Sequence, residues 1–93
     1  MYSHLVMFTL EDPDDIPATV SALQGMQERI PQLRFLEVGV DHDPGPRSAH
    51  IVLITRFDSV EAYRAYEGHP HHVRVLEHMA EVTKSAVKVD YID

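Results

Sequence analysis

The sequence contains no cysteine and no tryptophan. Without thiols there is no disulfide, no thiolate nucleophile and no Cys-ligated zinc. Basic residues are scarce: 8 Lys and Arg against 15 Asp and Glu leave a net charge of −7 with the histidines neutral. A chain this acidic repels phosphate backbones and has no basic stripe for an anionic membrane surface, so neither nucleic acid nor membrane is an expected partner. The 4 glycines are scattered and form no phosphate-cradling loop. None of Ser3, Ser21, Ser48, Ser59 and Ser85 sits in a nucleophile elbow. No apolar run approaches the ~20 residues that span a bilayer. The opening stretch MYSHLVMFTL lacks the basic segment of a secretory leader, so the expected location is the cytoplasm.

What remains is 93 residues, 44% of them apolar, which suits one globular domain over residues 1–93. Residues 2–10 read as a strand with His4, Val6 and Phe8 on one side and Leu5, Met7 and Thr9 on the other. Residues 15–30 read as an amphipathic helix on Ile16, Val20, Leu23, Met26 and Ile30, ended by Pro31. Residues 33–40 and 49–57 read as strands joined by the turn-rich DHDPGPRS. The stretch DSVE resembles a capping box with Asp58 as N-cap and Glu61 as its partner. The helix it opens falters at Gly68 and restarts at His69-Pro70, with His72, Leu76, Met79 and Thr83 expected on one stripe. Residues 85–92 close the chain as a strand with Val87, Val89 and Tyr91 on one face.

This order, β-α-β-β-α-β, predicts an α+β ferredoxin-like fold: a four-stranded antiparallel sheet with two helices on one face. The first and third strands are apolar on both sides, whereas helices cover only one. Placing His4, Val6, Phe8, His50 and Val52 toward the helices leaves Leu5, Met7, Ile51, Leu53 and Phe57 on an open face. Such a face calls for a second copy packed sheet to sheet, a homodimer.

The stretch YEGHPHH, residues 66–72, concentrates the candidate chemistry. Tyr66 and His72 flank the helix break and are expected to point inward, and a broken helix leaves a gap that can open a pocket. A neutral imidazole there can take a proton and a phenol can hold a carbonyl oxygen. Both can equally be core residues. His4 and His50 have two readings as well: buried histidines tied to backbone carbonyls, or polar groups lining a pocket. His69, His71 and His72 lack the i, i+4 spacing of a metal pair, so no metal and no cofactor is expected. His42 and His78 read as solvent-facing.

Several of these stretches, taken in order, resemble one known family. HLVMF opens the first strand, IP closes the first helix, and FDSVEAYRAY runs into HPHH, with VDY near the end. The chain is similar in this to the Dabb family, the stress-responsive dimeric α/β-barrel domains. The resemblance implies a homodimer whose sheets pair into a barrel. It also implies, as in polyketide cyclases of that family, a cofactor-free aldol cyclisation or isomerisation of a β-keto compound. His72 would be the base and Tyr66 its partner, with His4 and His50 in the pocket. Val6, Phe8, Val52, Val20 and Leu23 would line the rest, around an apolar small molecule. Other members of the family imply the alternative, a non-catalytic stress-response or ligand-binding dimer.

Overall fold

The structure is a computed structural model describing residues 1–93. Strand β1 is Tyr2–Leu10, followed by a 3-10 turn at Pro13–Asp15 and helix α1 at Ile16–Gln24. Strands β2 (Phe35–Val40) and β3 (Ile51–Phe57) precede helices α2 (Val60–Glu67) and α3 (Pro70–Val82), and β4 (Thr83–Ile92) ends the chain. The sheet order is β2-β3-β1-β4, with every neighbouring pair antiparallel. This is the expected ferredoxin-like arrangement, its second helix divided in two. No helix is long and apolar enough to cross a membrane.

The helices cover one face, and the pairing decides which side chains lie beneath them. Tyr2, His4, Val6 and Phe8 of β1 stand opposite Phe57, Thr55, Leu53 and Ile51 of β3, so these eight share the covered side. Ile51, Leu53 and Phe57 are 2%, 3% and 0% exposed. They are core residues, not the interface expected for them. Val52 and Ile54 are the residues of β3 that join Leu5 and Met7 on the open face. The sequence left this ambiguous because β3 is apolar on both sides, and a one-residue choice of parity exchanges the faces.

Four local expectations also shift. Helix α1 is regular only to Gln24, and hydrogen-bonded turns then carry the chain to Ile30. Met26 and Ile30 still reach the core, at 0% and 1% exposure, so the apolar stripe survives the loss of helical regularity. The N-cap of α2 is Ser59, whose hydroxyl accepts from the Ala62 N–H at 3.1 Å; Asp58 instead accepts from Arg34 at 3.0 Å. On α3 the inward residues are Val75 and Met79, while Leu76 is exposed. His78 is not free: its Nε2 lies 3.0 Å from the hydroxyl of buried Thr19, which ties α3 to α1.

Candidate functional site

The break between α2 and α3 builds one side of the site. The Gly68 N–H returns to the Arg64 and Tyr66 carbonyls and ends α2. His69 is extended, as a residue before proline prefers, and its Nδ1 accepts from the His71 N–H at 3.1 Å. His69 is therefore the N-cap of α3, and Pro70 occupies the first turn, where its missing N–H costs nothing. The kink delivers His72 into the first turn of α3, half-buried, with its Nδ1 2.9 Å from the Glu67 carbonyl. A carbonyl only accepts, so Nδ1 carries the hydrogen and the neutral ring keeps its lone pair on Nε2. Burial lowers the pKa of His72, and the Glu67 carbonyl offsets this in part.

Tyr66 lies directly beneath. Its ring centroid is 4.2 Å from that of His72, and it also packs on Phe57 and Tyr63. The phenol is 1% exposed, and its hydroxyl points at the Met26 sulfur, 3.9 Å away. A thioether is a weak acceptor, so the donor capacity of this hydroxyl is largely unspent. Burial, then the charge of Glu67, raises the Tyr66 pKa and keeps the phenol protonated.

The sheet supplies a second cluster that sequence inspection did not anticipate. His4 stands opposite Asp90 of β4, and its Nδ1 is 2.6 Å from Asp90 Oδ1. The other carboxylate oxygen accepts from the Tyr2 hydroxyl at 2.7 Å and from Lys88 at 3.2 Å. The Tyr63 hydroxyl lies 3.5 Å from His4 Nδ1, and the Tyr63 ring stacks on Tyr2 at 4.5 Å. Burial alone would push the Asp90 carboxyl up, but the hydrogen bonds from Tyr2, His4 and Lys88 outweigh it and hold the pKa down at about 2. The signal in the sequence is the acid in VDY. It meets His4 only when the end of β4 is laid antiparallel to the start of β1.

The match that decides the family covers residues 3–93, against the Stress responsive A/B Barrel Domain, Dabb. The chain belongs to the Dabb family. No curated protein matches it. Among solved structures it is similar to a dimeric protein of unknown function and ferredoxin-like fold from Bacteroides fragilis. That likeness has 28% identity and a TM-score of 0.85, and covers 99% of this chain and 95% of the other. A Dabb family protein from Mesorhizobium loti aligns at 21% identity and TM-score 0.85, over 99% and 95% of the two chains. A hydroxynitrile lyase from Passiflora edulis shares the fold at 15% identity and TM-score 0.87, over 99% and 92%.

Within this Dabb chain the expected site residues do not all converge. Tyr66 and His72 touch, and His4 joins them through Tyr63. Val6 and Leu23 are buried on the covered side, and Phe8 and Val20 pack against the same core. Val52 faces away on the open side of the sheet. His50 lies beyond the far end of β3 from His4, where its Nδ1 accepts from the Leu10 N–H at 2.9 Å. It is a half-buried strand-end histidine whose backbone partner is an N–H, not the carbonyl expected.

Two clefts lie away from His72. One of about 370 Å³ borders the open face beside Met7, Arg47, His50 and Val52. The other, about 410 Å³, sits in the loop Asp43–Ser48. No three His, Asp or Glu residues converge as metal ligands.

Proposed function

We propose that this Dabb protein is a homodimer performing cofactor-free acid/base chemistry on a small β-keto compound. His72 is the base and Tyr66 the hydrogen-bond donor. The observation that carries this reading is the state of His72: Nδ1–H is held by the Glu67 carbonyl, leaving Nε2 as a base beside a phenol with no strong acceptor of its own. In the reaction, Nε2 takes a proton from the carbon between two carbonyls. The Tyr66 O–H stabilises the enolate oxygen that forms. The carbanion then adds to a second carbonyl of the same substrate, or is reprotonated elsewhere in an isomerisation, and His72 returns the proton. Entry requires Met26, a flexible unbranched side chain, to swing off the Tyr66 hydroxyl. The occurrence of a hydroxynitrile lyase on this fold supports the reading at the level of the scaffold.

The second copy covers the open face, on Leu5, Met7, Val52, Ile54, Val87 and Val89. Met7, Val87 and Val89 are 46%, 61% and 60% exposed in the isolated chain, which supports a partner there. Relatives described as dimeric ferredoxin-like proteins support the same assembly.

A second reading, a non-catalytic dimer, is favoured by the tight packing of Leu23, Met26 and Tyr66 where a substrate would sit. A panel of linear polyketide thioesters separates the two. Catalysis predicts turnover by the wild type, lowered about 10²–10⁴-fold in His72→Ala and comparably in Tyr66→Phe. If the wild type converts none of the panel, or the variants match it, the non-catalytic reading stands.

A further inference from the structure

The cleft of about 370 Å³ beside Met7 has the size of a small-molecule pocket and lies away from His72. Its floor is apolar. Gly39, Val52 and Met7 stand in one row across β2, β3 and β1 on the open face. A Cβ at Gly39 would lie 3.0 Å from Val52 Cγ1, so the glycine keeps a hollow there. A glycine inside a strand often marks a place where a ligand comes close. Its rim is polar. The Asp41 N–H donates to the His50 carbonyl at 2.9 Å, one rung beyond the end of β2, which sets these two residues opposite each other. Arg47 stands on the turn that joins them. The Ser48 hydroxyl accepts from the Gly45 N–H at 3.0 Å and donates to the Asp43 carbonyl at 3.2 Å, which fixes that turn. Asp41 and Arg47 line the same cleft with opposite charges, yet neither joins an ion pair, with the other or with any residue. His50 adds a donor. A backbone N–H only donates, so the bond from Leu10 occupies the lone pair of Nδ1 and leaves the ring hydrogen on Nε2.

We infer that this cleft binds a free α-amino acid with an apolar side chain. Asp41 takes its ammonium, Arg47 and the His50 Nε2–H take its carboxylate, and the hollow over Gly39 and Val52 takes its side chain. The charges select this occupant. An α-amino acid carries ammonium and carboxylate on one carbon, so it bridges an acid and a guanidinium that do not reach each other. It is neutral overall, so the net charge of −7 does not repel it as it repels a phosphate or a dicarboxylate. A fatty acid leaves Asp41 unanswered, and an amine leaves Arg47 unanswered. All three polar groups belong to one chain, so the site does not depend on the homodimer. The second copy proposed above, seated on Met7 and Val52, roofs the apolar end and strengthens the charged contacts by excluding water from them.

The test follows the backbone amides of the isotope-labelled full chain by NMR as L-leucine is added. Two analogues are titrated beside it: isocaproate, which lacks the ammonium, and isoamylamine, which lacks the carboxylate. The expected result is saturable shifts at Gly39, Asp41 and His50, with each analogue bound at least about tenfold more weakly than leucine. Asp41 and Arg47 are exposed, so Asp41→Asn and Arg47→Gln should keep the fold. Asp41→Asn should abolish the preference for leucine over isocaproate, and Arg47→Gln should reduce the preference over isoamylamine. Amides that do not respond to leucine overturn the inference. So does a loss of less than about tenfold for either analogue, or a preference that survives its matching substitution. None of these three polar residues takes part in the chemistry proposed at His72, so that reading stands or falls separately.

Discussion

His72 and Asp90 hold their charge states by opposite means. His72 is kept neutral by burial, with its proton directed to a backbone carbonyl. Its folded pKa is below the ordinary 6.5, so the basic form already predominates at pH 6.5 and persists somewhat below it. If the proposed chemistry holds, the acidic limb of kcat/KM falls below pH 6.5, and a limb centred above it excludes His72 as the base. Asp90 is kept ionised at about 2, against an ordinary 3.8, by the donors around it. A depressed carboxyl contributes stability that is present above its unfolded value and lost as pH falls through the folded one. Allowing for solvent screening, the wild type should lose on the order of 1 kcal/mol between about pH 4 and pH 2 that Asp90→Asn does not. Urea unfolding of both proteins across that range checks it, and parallel curves would show that the cluster contributes nothing through ionisation.

The elements owe their ends to single residues. Ser59 caps α2 and His69 caps α3, each side chain satisfying a backbone N–H that a helix start leaves open. Ser59→Ala should therefore cost about 1 kcal/mol. Asp58→Ala breaks only an exposed bond to Arg34 and should cost a few tenths of that, about 0.3 kcal/mol. Thermal denaturation distinguishes them, and equal losses would return the cap to Asp58. The break at Gly68-His69-Pro70 was legible from composition because proline and glycine act locally. The choice of Ser59 over Asp58 was not, since both are good caps and only the backbone conformation selects one. His78 was misread for a related reason: its partner Thr19 lies on another helix, and sequence spacing holds no trace of that contact.

On the scale of the whole molecule, one face of the sheet has no cover within the chain. Met7→Lys or Val89→Lys places a charge on that face and should yield a folded monomer, visible as a halved mass in sedimentation with unchanged far-UV circular dichroism. The wild-type Tm should rise with protein concentration, as it does for any assembly that binds only the folded chain. A concentration-independent Tm with Met7→Lys indistinguishable from wild type would refute the dimer.

The order of strands and helices, the apolar character of both faces of the sheet and the helix break beneath Tyr66 and His72 followed from the sequence, because periodicity, turn residues and proline act over a few positions. The pairing register decided the rest. It buried Ile51, Leu53 and Phe57, turned Val52 outward, separated His50 from His4 and brought Asp90 to His4 across 86 residues. A strand that is apolar on both sides does not declare which side is in. Only its neighbours, through the hydrogen-bond ladder and the helices laid over them, settle that choice.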